Sequence, residues 1–183
     1  MNILYKSLPK DMSPHGHKFR VGKWYKIDGN LEICSKGFHA SKNIINSMNY
    51  VPAEVLAKVE VRGNAIKQDD KQCWSEMKLI KTYKWTKKDS ISLAIYAAEL
   101  VLDNFEKKYP DDKRPRNAIG AAKKVLKNNT EKNRSAAWSA WSAARSAASA
   151  ASAAERVAWS AGSAAYKNIL TKCHNFVIER ATL

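Results

Sequence analysis

The chain is short of acid. Against 32 lysines and arginines stand only 17 aspartates and glutamates, a net charge of +15. That deficit excludes a DNA mimic, which needs the opposite sign, and favours phosphate-rich or acidic partners. The deficit is shared, since residues 1–88 hold 17 basic against 8 acidic side chains and residues 89–183 hold 15 against 9. Cysteine is scarce as well. Cys34, Cys73 and Cys173 are odd in number and scattered, which excludes a disulfide scaffold and points to a reducing cytoplasm. No run approaches the roughly 18 apolar residues of a membrane span, and the opening MNILYKSLPKD has no apolar core leading to a cleavage site, so neither membrane nor secretion is expected. GxSxG, HExxH, P-loop and GxGxxG motifs are all missing.

Two halves with different periods fill the rest. Over residues 1–88, ILYKSL, KFRVGKWYKI, EVLAKVEVRG and EMKLIKTYKW alternate like strands, and Val55, Ala57, Val59 and Val61 share one side. IDGN reads as a tight turn joining WYKI to LEIC in a hairpin. NIINSMNY reads as a short helix with Ile44, Ile45 and Met48 as its apolar contacts.

Over residues 89–183 the period becomes helical. Asp89 or Ser90 caps a helix in which Ile91, Ile95, Ala98, Leu102, Phe105 and Tyr109 form a stripe. Pro110 stops it, NAIGAAKKVLKN makes a second helix with Ile119, Ala122 and Leu126 inward, and Thr130 caps a third. That third helix holds SAAWSAWSAARSAASAASAAERVAWSAGSAA, 31 residues of which 15 are alanine and only Gly162 is glycine. Alanine is the best helix former, so a floppy linker is excluded and a closely packed helix expected. AYKNILTKCHNFVIER continues helically to the end. The expected fold is α+β: a small N-terminal mixed sheet with a short helix over 1–88, then a C-terminal helical bundle with a long Ala/Ser-rich helix over 89–183.

Candidate chemistry is sparse. His15, His17, Cys34 and His39 lack the paired short spacings of structural zinc sites, so no metal is expected. Cys34 and His39 are the residues a nucleophile–base pair would use, yet no orienting carboxylate stands at recognisable spacing, and no catalytic group or cofactor is expected. Basic and aromatic interleaving is the better signal. KFRVGKWYK carries Arg20 and Lys23 among aromatics, and KRPR gathers Lys113, Arg114 and Arg116 at a helix start, where backbone N–H groups favour anions. Arg145 lies one turn from Trp141. With Trp138 and Lys36 these residues are the expected binding set, while Trp24 and Trp85 are expected in the core.

Gly22, Trp24, Cys34, Gly37, Phe38, His39, Ala40 and Gly63 follow a pattern that resembles an uncharacterised domain of phage and prophage proteins. PDDKRPRNAI, followed by the Ala-rich helix around Arg145, resembles a family of bacterial immunity proteins from polymorphic-toxin systems. The whole chain is similar to type II-A anti-CRISPR inhibitors. That last resemblance implies a non-enzymatic anti-defence protein in the host cytoplasm. It would bind Cas9 and its guide RNA and impede target DNA binding or cleavage. Two alternatives stand beside it: an immunity protein that neutralises a toxin, and a phage enzyme acting around His39 and Cys34.

Overall fold

A computed structural model describes residues 2–14, 17–51, 53–136, 138–139 and 159–183, the stretch 159–166 by its backbone alone. Trp141, Arg145, His15 and most of the alanine–serine run lie outside these residues. The chain forms two compact units, Met1–Thr86 with Leu170–Leu183, and Lys87–Ile169. The last turns of the chain, grouped by sequence with the helical half, therefore pack with the sheet. Among the described residues no helix is long and apolar enough to cross a membrane.

In the first unit run β1 (Asn2–Leu8), β2 (Trp24–Lys26), β3 (Phe38–Ala40), α1 (Ile44–Met48), β4 (Val55–Lys67) and β5 (Gln72–Lys84). A short turn closed by the Gln68 N–H on the Lys71 carbonyl, 2.9 Å, joins β4 to β5 and makes them antiparallel neighbours. β1 lies on the far edge of β4, while β2 and β3 pair with successive parts of the free edge of β5. Every ladder is antiparallel, and the Val21–Leu79 bridge is the one parallel contact among the described residues. The expected mixed sheet is thus corrected to an antiparallel one, in which each pair of neighbouring strands runs in opposite directions on either side of the tight β4–β5 turn.

The expected WYKI–LEIC hairpin is likewise replaced. Trp24–Lys26 pairs with Glu76–Lys78 on β5. Leu31–Lys36 instead folds into a turn in which the Glu32 carbonyl accepts the amides of Ser35 and Lys36.

The sheet curls until its ends meet. Tyr5 and Ser41 exchange backbone hydrogen bonds of 2.9 and 2.8 Å, so β1 touches the residue after β3 and the strands complete a ring. Leu4, Leu8, Val55, Ala57, Val59, Val61, Met77 and Leu79 fill it together with Phe19, Phe38 and Trp74. Gly63, at φ 82°, sits in an irregularity of β4, where an added Cβ would meet the Ser75 hydroxyl at 2.2 Å.

α4 (Trp159–Ala181) ends against this unit. Cys173, Val177 and Ala181 are buried, and three hydrogen bonds and one ring contact hold their turns. Asn43 donates to the Leu170 carbonyl at 3.2 Å, and the Ile44 amide to His174 Nδ1 at 3.2 Å. The His174 ring meets Tyr5 edge-on at 5.1 Å, and Lys81 donates to the Thr182 carbonyl at 2.6 Å. Asn43 also caps α1 by accepting from Ile45.

The second unit contains α2 (Lys87–Lys108) and α3 (Arg114–Lys127). α2 begins two residues before the expected cap, and Asp89 lies buried in its first turn, where an acid suits the helix dipole. Ile95 and Leu102 are the buried members of its stripe and Val125 that of α3, with Ile119, Ala122 and Leu126 half-buried. Thr130 accepts from the Asn133 amide at 3.2 Å and opens a helical segment over 131–136.

His174 makes the tail pH-sensitive. Burial lowers its pKa below 6.5, and its Nδ1 must stay unprotonated to receive Ile44. Between the folded and unfolded values the unfolded chain binds the extra proton, so stability falls as pH drops through that window. The urea midpoint should decline from pH ~7 to ~5, and His174→Gln should remove part of that decline; an identical slope in the variant would contradict the assignment.

Candidate functional site

β1 places a lysine where its pattern calls for an apolar side chain. Leu4, Lys6 and Leu8 share one face by strand alternation, and both leucines are core. Lys6 is buried with them at 9% exposure, its ammonium donating to the His39 carbonyl at 2.8 Å. Burial pushes its pKa down to about 8, with Cys73 acting weakly in the other direction. Against an ordinary value of 10.5, that is a penalty of roughly 3 kcal/mol on the charged form. A charge kept inside at such a cost is a functional-site signal.

The segment CSKGFHA builds the wall opposite. Phe38 and Ala40 enter the core, and His39 between them points its ring back to the preceding turn. His39 Nε2 accepts the Cys34 amide at 3.0 Å and so holds Cys34 in the left-handed region at φ 67°. Gly37, at φ 134°, must be glycine, for a Cβ there would stand 2.2 Å from the Cys73 sulfur. The Cys34 thiol receives the Lys71 ammonium at 3.0 Å. His39 Nε2 thus faces the Cys34 amide rather than its sulfur, which is paired with the Lys71 ammonium. Among the described residues no cluster of His, Cys, Asp or Glu is arranged to hold a metal.

Between these walls lies a cleft of about 500 Å³. Lys6, Lys36 and Lys71 line it with Ser7, Ser35, Ser41 and Ser47, the Lys36 ammonium itself lying beside Gly29, and no Asp or Glu lines it among the described residues. Cys34 and His39 add polar lining, and most of the remainder is apolar or aromatic. His17, Phe19 and Phe38 form a mutual cluster of tilted and edge-on rings with centroids 4.8 to 5.9 Å apart, both phenylalanines being buried. Tyr50 stands at the mouth under the Lys71 ammonium, 4.5 Å from the ring centroid, and donates its hydroxyl to Asp70.

A second site lies where α2 hands over to α3. Asp112 Oδ1 accepts the Arg114 amide at 3.0 Å, and the same carboxylate takes the Arg114 guanidinium at 2.8 and 2.7 Å. Arg116 reaches back to Glu106 on α2 with contacts of 2.6 and 2.5 Å, which lowers the glutamate's pKa. Lys113 donates to the Pro110 carbonyl at 2.6 Å. All three cations of KRPR therefore first secure their own corner. The two guanidinium side chains nonetheless stay 50% and 56% exposed, so each can still turn its remaining N–H groups to a partner. Trp138, at 69% exposure, is also on this unit.

Of the other expected binding residues, Lys36 lines the cleft. Arg20 and Lys23 are exposed next to Tyr25, which accepts the Arg20 amide and lies under Lys23. Trp85 is core. Trp24 is only half-buried, its ring covered by Arg62 at 3.9 Å and Lys78 at 4.8 Å. Lys6, Lys71 and the four serines escaped the sequence reading. The available signal was a lysine flanked at i−2 and i+2 by leucines in a strand.

Two families match the chain. Residues 2–89 match a domain of unknown function, DUF7666, and residues 83–178, more than half of the chain, match the family described as "Imm-5 like putative immunity protein". No curated protein and no solved structure matches. The first match spans the cleft, and the second contains the α2–α3 corner.

Lys6 gives a direct stability test. Because its folded pKa is lowered, the unfolded chain holds more protons between about 8 and 10.5, and stability rises with pH across that range. Lys6→Met should be more stable than the parent by ~2 kcal/mol at neutral pH, with the advantage shrinking as pH climbs from ~8 to ~10. Urea unfolding across pH measures both, and a destabilised variant at every pH would refute the buried-charge reading.

Proposed function

The chain belongs to the Imm-5-like immunity family, and from that premise we propose that it is a non-enzymatic antidote, which binds a bacterial toxin in the cytoplasm and blocks it. The α2–α3 corner carries the reading. It lies inside the immunity match and presents two half-exposed arginines whose orientation is fixed beforehand by Asp112 and Glu106. Pre-ordering of this kind reduces the entropy lost on docking, and arginine and tryptophan are the side chains that most often dominate interface energy. Trp138, exposed on the same unit, supplies the indole. The surplus of positive charge suits an acidic toxin surface and speeds encounter. A Cas9–guide target draws no support from the family matches, and we do not carry it forward.

Co-expression with a panel of toxin domains from bacterial competition systems tests the proposal. One toxin should be neutralised and should bind the purified protein. Trp138→Ala and Arg116→Ala should each weaken that binding by at least ~10-fold, or ~1.4 kcal/mol. Both should leave the thermal midpoint nearly unchanged, because exposed side chains and exposed ion pairs contribute little to stability. Protection against no toxin, with tight binding to a Cas9–guide complex instead, would overturn it.

A further inference from the structure

Two of the three free thiols stand at one turn of the sheet unit, far in sequence from the α2–α3 corner. The turn Leu31–Lys36 is closed by the Glu32 carbonyl, which accepts the Ser35 and Lys36 amides at 3.2 and 2.8 Å. Cys34 lies in the middle of it, exposed and at φ 67°. Cys73 lies beneath, buried on β5, its thiol 3.3 Å from the Lys36 carbonyl and 4.0 Å from that of Glu32. Those two carbonyls flank Cys34 two residues away on either side. At Gly37 the backbone itself rests on the Cys73 sulfur, with no room for a Cβ between them. Lys71, two residues before Cys73, reaches the Cys34 sulfur at 3.0 Å. The exposed thiol thus has a cation against it and a second thiol under the backbone that carries it. Reactive cysteines occupy accessible, electropositive places, and redox-sensing ones stand next to a resolving cysteine.

We propose that Cys34 and Cys73 form a peroxide-responsive pair, in which Cys34 is the site of oxidation and Cys73 resolves it to an intramolecular disulfide. In the first step the Cys34 sulfur attacks one oxygen of hydrogen peroxide and breaks the O–O bond. Cys34 becomes a sulfenic acid, and its thiol proton leaves with the expelled hydroxide as water. The Lys71 ammonium stabilises negative charge on the attacking sulfur. In the second step the Cys73 sulfur attacks the sulfenic sulfur. The S–S bond forms, the S–O bond breaks, and the Cys73 proton leaves with that hydroxide as a second water. Two thiols and one peroxide give one disulfide and two waters, the two sulfurs supplying the electrons that the peroxide takes. Cys34 has to swing inward from Lys71 for this. Leaving its left-handed conformation, which is disfavoured for a residue with a Cβ, favours the movement. The bond would tie the turn before β3 to β5 and release Lys71.

Thiol counting and peptide mapping on the full chain treated with hydrogen peroxide at ~0.1 mM test the proposal. Cys34 and Cys73 should be lost together in the monomer and map to one disulfide, and a thiol reductant should restore both. Cys173, buried on α4, should stay reduced throughout. Cys34→Ser, an exposed change whose fold circular dichroism checks, should slow the oxidation of Cys73 at least ~10-fold. In Cys73→Ser a sulfenic acid should accumulate on Cys34 and be trapped by dimedone; if that variant does not fold, the Cys34→Ser rate decides alone. Survival of all the thiols, passage of Cys34 to sulfinic acid while Cys73 stays reduced, or disulfides only between two copies would each overturn the pair.

Discussion

A charged amine held inside a sheet is the constraint around which the first unit is arranged. Lys6 occupies a core-facing position of β1 between Leu4 and Leu8, and its ammonium ends on the carbonyl of His39. For that carbonyl to be available, β3 has to approach β1. The Tyr5–Ser41 exchange that closes the ring brings it there. Closure in turn requires the turn before β3 to be tight, hence the left-handed Cys34, the His39 ring that ties it down and the glycine at 37 packed on Cys73. The motif CSKGFHA is therefore one mechanical part. It supports a cationic cleft, and its cysteine and histidine are engaged in shaping it.

The second unit relies on a different interaction. Its corner is defined by carboxylates that hold arginines, Asp112 with Arg114 and Glu106 with Arg116. Exposed pairs of this kind contribute little to stability, on the order of 0–1 kcal/mol each. Their effect is geometric, since a bidentate contact fixes the plane of a guanidinium group. A protein whose task is to meet another protein gains from side chains already in their bound orientation, which agrees with membership of an immunity family. The two units thus differ in chemistry: a lysine-lined cleft in the first, and a corner of carboxylate-held arginines in the second.

Much of the fold was legible in one dimension, because its elements announce themselves by local period. β1, β4, β5, α1, α2 and α3 all lie where alternation or helical spacing put them, and Pro110 and Thr130 mark the ends they were read to mark. Pairing was less legible. WYK looks equally able to pair with LEIC, its neighbour in sequence, or with β5, and only the free edge of a long strand decides in favour of the latter. Trp24 reads as core by composition, yet Arg62 and Lys78 cover it at the surface. The cleft was hidden for a similar reason. Lys6, Lys36 and Lys71 come from three separated segments, each of which looks like ordinary solvated lysine until the ring closes. KRPR, conversely, is conspicuous in sequence because its cations cluster, while the acids that hold them sit on either side of Pro110.

The most direct measurement is the titration of Lys6 itself, followed by NMR of its side-chain nitrogen and adjacent carbon in the intact protein. The account predicts a midpoint of about 8. A midpoint at the ordinary lysine value would show that the amine is solvated and that the cleft is not built around it.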